Sequence, residues 1–317
     1  PIEITLQFRQ SPEKPKVTYT LQIALDKNQP VVQREILKYR RGSKGQPWHF
    51  LDFANGRGEA IVNEEDFEKK ARKPEREIHE LDSADTLAIK GLGQFQRHKA
   101  VSEFRKMIEN WHVSDFHISE ARPSQEAGYA DHLSSRGDNL ALVAQYMYEN
   151  HRELFNKCLK KMERRVPGVT KVQATETEDG RIVLKFQDGN FKDPFVARYV
   201  SDGTIKMWAY LLLLCDPIPH PLLCIEEPEN QLYPQLLYEL AEEFRGYAEL
   251  GGQVFVSTHS PDFLNGMKID EIVWLKKEHG FSVAVRAAEQ KELVLLSQEG
   301  DLPGQLWSQK FFEGANL

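Results

Sequence analysis

Two apolar runs in the last third of the chain end in residues able to hold a metal or handle a water molecule. Leu222-Leu223-Cys224-Ile225 is followed by Glu226-Glu227-Pro228-Glu229. An apolar run without polar alternation reads as a buried parallel strand, and ligands of open α/β sheets bind at the carboxyl ends of such strands. Glu226 can hold Mg²⁺ directly or through water, and Glu227 can orient or deprotonate a water. Three carboxylates in four positions repel one another, and a bound cation relieves that repulsion. The second run, Gln253-Val254-Phe255-Val256, ends in Ser257-Thr258-His259-Ser260. Near neutrality an imidazole offers one donor and one acceptor, so His259 can meet a terminal phosphate or a water.

Two further segments flank these runs. Val200-Ser201-Asp202-Gly203-Thr204 stands at a strand-to-helix junction. Ser201 or Asp202 supplies an N-cap there, and Gly203 lets the backbone approach a ligand. The free N–H groups of the helix start suit an anion such as phosphate. Asn230-Gln231-Leu232-Tyr233-Pro234 leaves the acidic strand, with Pro234 opening the next helix. Each segment alone has a plainer reading: a capped helix, solvated acids, a structural histidine, a connecting turn. Their order along the chain carries more weight than any one of them.

The elements that must position these residues follow from periodicity. Ile2–Phe8, Val17–Leu25, Val31–Tyr39, His49–Phe53 and Glu59–Val62 read as an antiparallel meander, the last two flanking the turn Asn55-Gly56-Arg57-Gly58. Residues 63–77 are charged and helix-permissive, with Pro74 limiting any helix. From His98 to Arg165 the stripes Val101/Phe104/Ile108/Trp111, Val143/Tyr146/Met147 and Leu154/Cys158/Met162 predict helices, separated by an ordered polar loop over 119–139. Val172–Thr177 and Arg181–Gln187 flank a hairpin turn, and Phe195–Val200 continues as a strand. Helix Thr204–Leu214, strand Leu222–Ile225, helix Pro234–Ala248, strand Gln253–Ser257 and hairpin Ile272–Arg286 then alternate. That pattern predicts a parallel sheet covered on both faces.

Composition bounds the class. The 317 residues are 40% apolar and 10% aromatic, which excludes a disordered chain. A net charge of −7 argues against a globally basic nucleic-acid binder, though not against a local basic patch. Three cysteines, Cys158, Cys215 and Cys224, lack CxxC spacing; this favours a reducing cytosol and a cytoplasmic location over a disulfide framework. The longest apolar stretch, Met207–Cys215, is too short to span a bilayer, so no membrane partner is expected.

Taken together, the four segments resemble the second half of an ABC-type ATPase head, as in RecF, SMC and OLD-like AAA family ATPases. Ser201-Asp202-Gly203-Thr204 resembles the signature loop, Leu222–Glu227 a Walker B strand, Asn230–Tyr233 the D-loop, and His259 the switch histidine. The separations Ser201–Glu227 and Glu227–His259 also fit. The match spans Val200 to Leu264; the upstream meander and helices resemble the family's lobe and insertion more loosely. The resemblance implies an α/β head with a mixed or parallel sheet core. It implies an antiparallel β lobe over 1–63, a mainly helical insertion over 64–170 and the signature/Walker B/switch-histidine lobe over 171–317. Two heads would sandwich ATP as a homodimer. Glu226 would help hold Mg²⁺, Glu227 polarise the attacking water, and His259 steady the γ-phosphate. Ser201 and Gly203 would contact the nucleotide of the opposite head, with Asn230 in the neighbouring loop. Glu226 stands where many such heads have Asp, and its extra methylene shifts the metal contact. DNA repair, recombination and phage defence are the processes the resemblance suggests, with DNA and an effector nuclease in trans as further partners.

One departure is large. No G-x-x-x-x-G-K-[ST] phosphate loop occurs in the sequence. Arg41-Gly42-Ser43-Lys44-Gly45 has the residues in the wrong order, and Lys90-Gly91-Leu92-Gly93-Gln94 lacks the closing Lys-Ser/Thr. In the family this loop precedes the antiparallel lobe, and here the chain opens on Pro1 with that lobe's strands. The expectation is a strand, phosphate loop and helix upstream of Pro1; ATP hydrolysis to ADP and phosphate is expected only if they are there. The alternative is a non-hydrolysing, nucleotide-switched interaction or DNA-clamp protein. The basic stretches Lys38–Lys44 and Lys157–Arg165 could meet phosphate backbones, or form a solvated loop and a charged helix face. No D-x-D pair follows Pro261 and no G-x-S-x-G elbow is present, which argues against a nuclease or serine hydrolase in this chain.

Overall fold

Alternation in the first third builds one antiparallel sheet. In the computed structural model, which describes residues 2–9, 13–40, 46–64 and 74–315, six strands follow one another in sequence order. They are β1 (Ile2–Phe8), β2 (Val17–Asp26), β3 (Gln29–Tyr39), β4 (Trp48–Ala54), β5 (Arg57–Ile61) and β6 (Arg76–Glu80). Asn55 and Gly56 take φ of 49° and 79° between β4 and β5, the left-handed pair that matches strand twist in a two-residue hairpin. Sequence periodicity misses β6 because Arg-Glu-Ile-His-Glu carries one apolar residue, and that residue, Ile78, is exposed. Charged residues on an outermost strand are a common guard against further pairing.

Two helices, α1 (Ala88–Leu92) and α2 (Lys99–Glu109), close this unit. Val101 and Phe104 of α2 share a core with Tyr19, Leu37, Phe50, Leu51, Phe53 and Ile61. The start of α1 has no local side-chain cap; the fully buried Glu35 of β3 serves instead, accepting from Ala88 N at 2.6 Å and Ile89 N at 2.9 Å. Tyr19 Oη donates to the same carboxylate at 3.0 Å. Burial pushes Glu35 above its usual carboxylate range, against the pull of those backbone N–H groups. The glycine-bearing Lys90–Gln94 segment is α1 and its cap, with Gly93 O accepting from Arg105 Nε at 3.2 Å. Arg41–Gly45 lies outside the described residues.

The chain forms two units, Pro1–Asn110 and Trp111–Leu317. This groups the residues differently from boundaries after 63 and 170, because β6, α1 and α2 complete the first sheet and its core.

The second unit begins with β7 (His112–Ser114), α3 (Ile118–Ala121) and β8 (Gln125–Glu126), then α4 (Leu140–Asn150) and α5 (Arg152–Arg165). β9 (Val169–Glu176), β10 (Arg181–Asp188) and β11 (Phe195–Val196) form an antiparallel sheet with β8. The strand expected over 195–200 is only β11; the chain turns into a 3₁₀ helix at Ala197–Tyr199. α6 (Asp202–Leu214), β12 (Leu223–Glu226), α7 (Pro234–Glu249), β13 (Val254–Ser257) and α8 (Pro261–Asn265) follow. The hairpin β14 (Val273–Glu278) and β15 (Phe281–Arg286), then α9 (Lys291–Glu299) and α10 (Pro303–Ser308), end the described chain.

β12 is central in a parallel sheet of order β13-β12-β7, with β7 too short for periodicity to reveal. Leu223 and Ile225 share the main core with α6 and α7, including Trp208, Leu211, Leu240 and Phe244. An α6 buried all round from Ile205 to Leu213 is a helix at the centre of its unit. Among the described residues the expected cover on both sheet faces is seen on one. On the other, Val113, Cys224 and Phe255 stand in register, with Val113 and Phe255 about half exposed. No helix among the described residues is long and apolar enough to cross a membrane.

Gly58 of β5 packs against its neighbour strand so closely that an added Cβ would lie 2.1 Å from Asp52 O and 2.5 Å from Phe53 Cα. Gly58→Ala is therefore expected to lower stability by more than about 2 kcal/mol. Urea unfolding checks this; a loss within about 0.5 kcal/mol, ordinary for a surface change, would contradict the packing.

Candidate functional site

The carboxyl ends of β12 and β13 and the start of α6 meet in one place. β12 ends because Glu227 takes a left-handed φ of 38°, and Gln231 takes one of 64° four residues on. Such a backbone costs a non-glycine residue about 1 kcal/mol or more, so the surroundings must hold it. They do so with Glu227 N donating to Ser257 O at 2.9 Å and Asn230 N donating to Glu227 O at 3.1 Å. Asn230 Nδ2 donates to Glu227 Oε2 at 2.9 Å, which fixes one carboxylate oxygen. The other, Oε1, lies 3.8 Å from His259 Nε2. Both side chains are open to solvent, His259 at 83% and Glu227 at 48%.

Glu229 ties the two strand ends together. It accepts from Thr258 Oγ1 at 2.9 Å and from His259 N at 2.7 Å, so its charge is spent on positioning the histidine loop. Glu226 is exposed and has no hydrogen-bond partner among the described residues. Of the three acids it is the one with both carboxylate oxygens uncommitted among the described residues, and such a carboxylate fits Mg²⁺.

Ser201 caps α6 as its residue type suggests, Oγ accepting from Thr204 N at 3.2 Å. Gly203 stands close to the loop after β12: an added Cβ would lie 3.3 Å from Gln231 O. Lys206, one turn on, is 2% exposed and donates from Nζ to Asn230 O at 2.7 Å. Burial pulls its ammonium down to about 8, against the opposing pull of Asp115, Glu229 and Glu227. The structure thus brings Ser201, Gly203, Glu226, Glu227, Asn230 and His259 into one neighbourhood.

Three residues of that neighbourhood escape sequence reasoning. Lys206 had a visible signal, a lone cation leading into the apolar run Met207–Leu214. Arg122, at the end of α3, donates from Nη1 to Ala197 O at 2.8 Å, Arg198 O at 3.0 Å and Val200 O at 2.8 Å. Its Nη2 also pairs with Asp202. By collecting these carbonyls it turns the chain out of the sheet after β11 and delivers Ser201 to the start of α6. Asp115 follows β7, beside β12 in the same sheet, and pairs with His117 at 3.1 Å. Neither had a local pattern to give it away.

The basic stretch on α5 is partly committed. Lys161 pairs with Glu243, and Arg165 reaches Glu239 at 3.3 Å and Glu242 and Glu243 at 3.1 Å. These pairs join α5 to α7. Most of the Lys38–Lys44 stretch lies outside the described residues.

A parallel sheet whose strand tips carry acids and a histidine beside a capped helix start is the anatomy of a nucleotide-handling α/β domain. The chain belongs to the family described as "AAA domain, putative AbiEii toxin, Type IV TA system", whose match covers residues 13–265. It is accordingly an AAA-type ATPase domain, a class that uses nucleotide and typically Mg²⁺. The match takes in the upstream sheet and helices as well as the four segments, and ends with α8. No curated protein matches the sequence. Similar solved structures include an SMC head bound to the C-winged helix domain of ScpA, at 9% identity over 88% of this chain and 78% of that one, TM-score 0.45. Others are the SMC head domain from Thermotoga maritima, at 7% over 87% and 77%, TM-score 0.38, and CbiO1 from Clostridium perfringens, at 15% over 88% and 97%, TM-score 0.35. At these scores they add nothing to the family assignment.

The buried ammonium makes a pH test available. Between about pH 8 and 10.5 the unfolded chain holds a proton on Lys206 that the folded chain has lost, so this group's contribution to stability rises with pH. Over that window the parent should gain on the order of 1–3 kcal/mol relative to Lys206→Met in urea unfolding. A pH-independent difference would mean the ammonium is hydrated.

Proposed function

We propose that this protein is an ABC-type head that binds and hydrolyses ATP and pairs with a second copy around it, in DNA repair, recombination or phage defence. The observation that carries the reading is the convergence of Glu227 and His259, 3.8 Å apart at the tips of adjacent parallel strands, beside the Ser201–Gly203 helix start. Family membership supports the nucleotide; the pairing and the process rest on the resemblance of the four segments.

In this reading catalysis of phosphoryl transfer is mainly positioning and charge neutralisation. Glu227 polarises the attacking water with Oε1, the oxygen that Asn230 leaves free. His259, its backbone held by Glu229, steadies the γ-phosphate. Glu226 contributes to holding Mg²⁺, which neutralises phosphate charge when bound. Ser201 and Gly203 present the start of α6 to the nucleotide held by the other copy, and Asn230 keeps the acidic loop in register with it. Lys206 places a cation beneath Glu227 and Glu229, offsetting their repulsion before any ligand arrives. The division into an antiparallel lobe, a helical insertion and a signature-bearing lobe belongs to the same reading.

A non-hydrolysing head, switched by nucleotide and acting on DNA or a partner protein, is the second reading. Residues 1–317 contain no G-x-x-x-x-G-K-[ST] loop, so ATP turnover by the protein made from its full reading frame separates the two readings. DNA, and a nuclease acting in trans, are partners compatible with either.

Expressed from its full natural reading frame, the protein is expected to hydrolyse ATP. Glu227→Gln should lower turnover about 100-fold or more, as for loss of a general base, while ATP binding persists and dimers accumulate. Turnover equal to that of the parent would remove Glu227 from the chemistry, and its absence from the parent would favour the switched clamp. Ser201→Arg should leave nucleotide binding by a single copy intact and abolish ATP-dependent pairing in sedimentation. Ser201→Ala, which loses the cap alone, should cost about 1 kcal/mol of stability. Normal dimers of Ser201→Arg would overturn the role given to this helix start.

A further inference from the structure

At the other end of α6, away from the acidic loop, lies a cluster that the nucleotide reading does not use. Asp216 follows directly on the helix cap Cys215 and is 8% exposed. A buried carboxylate is costly unless compensated, and the carboxyl end of a helix, with its unpaired carbonyls and negative dipole, is a poor place for one. No lysine or arginine pairs with Asp216 among the described residues; its ion-pair partners are two imidazoles. His132 Nδ1 lies 2.7 Å from Asp216 Oδ2, and His220 Nε2 lies 3.8 Å from the same oxygen. Among the described residues this is the one group of three such side chains whose ligand atoms all lie within 4.8 Å of one another.

The three are held from behind. Asp216 Oδ1 accepts from Ile218 N at 2.8 Å, which leaves Oδ2 facing the imidazoles. Tyr247 Oη donates to His220 O at 2.7 Å, and Asn139 Nδ2 donates to His132 O at 2.9 Å. A third imidazole, His112 of β7, stacks on His220 with centroids 4.9 Å apart. His112 is 8% exposed, and its Nε2 has no hydrogen-bond partner among the described residues. Two imidazoles against one buried carboxylate, with a third stacked behind them, are a donor set without a lysine or arginine among the described residues.

We propose that His132, Asp216 and His220 bind a divalent transition metal, with zinc the best fit, which staples the loop before α4 to the connection between α6 and β12. Two imidazole nitrogens and a carboxylate oxygen are a common zinc donor set, with a fourth position left to water. Tetrahedral bonds of about 2.0–2.1 Å place donor atoms about 3.3 Å apart. The observed spread brackets that value, and turning the partly exposed His132 ring closes the difference. The metal takes the place of the hydrogen bond that now joins His132 Nδ1 to Asp216 Oδ2, and the neutral imidazole then carries its one N–H on Nε2. The site joins elements that matter elsewhere: α6 begins at Ser201 about 20 Å away, and β12 runs to Glu226. A metal here stiffens the frame on which both are mounted.

The test is calorimetric titration of the chelator-treated full chain with Zn²⁺ in excess Mg²⁺, which occupies oxygen sites such as the glutamates after β12 but competes poorly for imidazole. One equivalent per chain is expected, with ring signals of His132 and His220 shifted in NMR and those of His259 unmoved. Co²⁺ should give the ligand-field spectrum of a tetrahedral nitrogen–oxygen site. His132→Ala, at a side chain one-third exposed, should weaken zinc about 10–100-fold and lose that spectrum. Absence of stoichiometric binding, equal binding by parent and His132→Ala, or shifts at His259 in place of His132 and His220 would overturn the proposal. The last two outcomes would leave a hydrogen-bonded cluster only. Should His132→Ala fail to fold, the NMR signals of the parent decide alone.

Discussion

A buried ammonium group holds together two elements that sequence places far apart. Lys206 reaches from the first turn of α6 to the backbone of Asn230, in the loop that follows the acidic strand. Its location is costly, and burial lowers its proton affinity. Glu227, Glu229 and Asp115 around it supply the compensation. Without a cation at this point the repulsion among these three carboxylates would be offset only by their hydrogen bonds and by His117 beside Asp115. With it, the helix capped by Ser201 and the loop that carries Glu227 are joined directly by a hydrogen bond.

The same neighbourhood stores backbone strain. Glu227 and Gln231 adopt left-handed conformations that a glycine would accept without cost, yet neither is glycine. The strain persists because Asn230, Ser257 and Lys206 each hold part of the loop by hydrogen bonds. Arg122 does comparable work on the other side, gathering the carbonyls of 197–200 so that the chain enters α6 at a fixed angle. The candidate site is thus assembled from loops, but each loop is pinned to an element that cannot easily shift. Such an arrangement suits a site that must present charge to a ligand rather than mould itself around one.

The cluster at the far end of α6 poses a similar electrostatic problem with different parts. There a carboxylate is buried at the negative end of the helix, and imidazoles rather than a lysine surround it. The two ends of one apolar helix therefore each carry a buried ionisable group, a lysine bonded to a loop carbonyl at one end and a carboxylate against imidazoles at the other.

Much of this was legible in the residues. The meander, the two parallel strands, the helices α6 and α7 and the hairpin after Ile272 follow from periodicity and turn chemistry, because each depends on neighbours within about ten residues. Of the two strands only β12 carries fully buried residues, since β13 lies at the sheet edge with Phe255 exposed. The segments around Ser201, Glu227, Asn230 and His259 were legible from residue type and order, and family membership over 13–265 agrees with the class they suggest. What escaped depends on partners distant in sequence. β7 is three residues long and is a strand only because β12 lies beside it. β6 pairs through its backbone, while its side chains follow on from a stretch that reads as charged and helix-permissive. Arg122 matters through carbonyls some 75 positions away, as the contact with Ala197 shows. Local sequence determined which segments were strands, helices and turns, and which side chains could do chemistry, since those properties reside in the residues themselves. Only the tertiary structure decided that Glu227 faces His259, that Lys206 is buried beneath them and that two histidines share Asp216. Burial, charge compensation and backbone pairing are properties of neighbours in space, and folding alone chooses them.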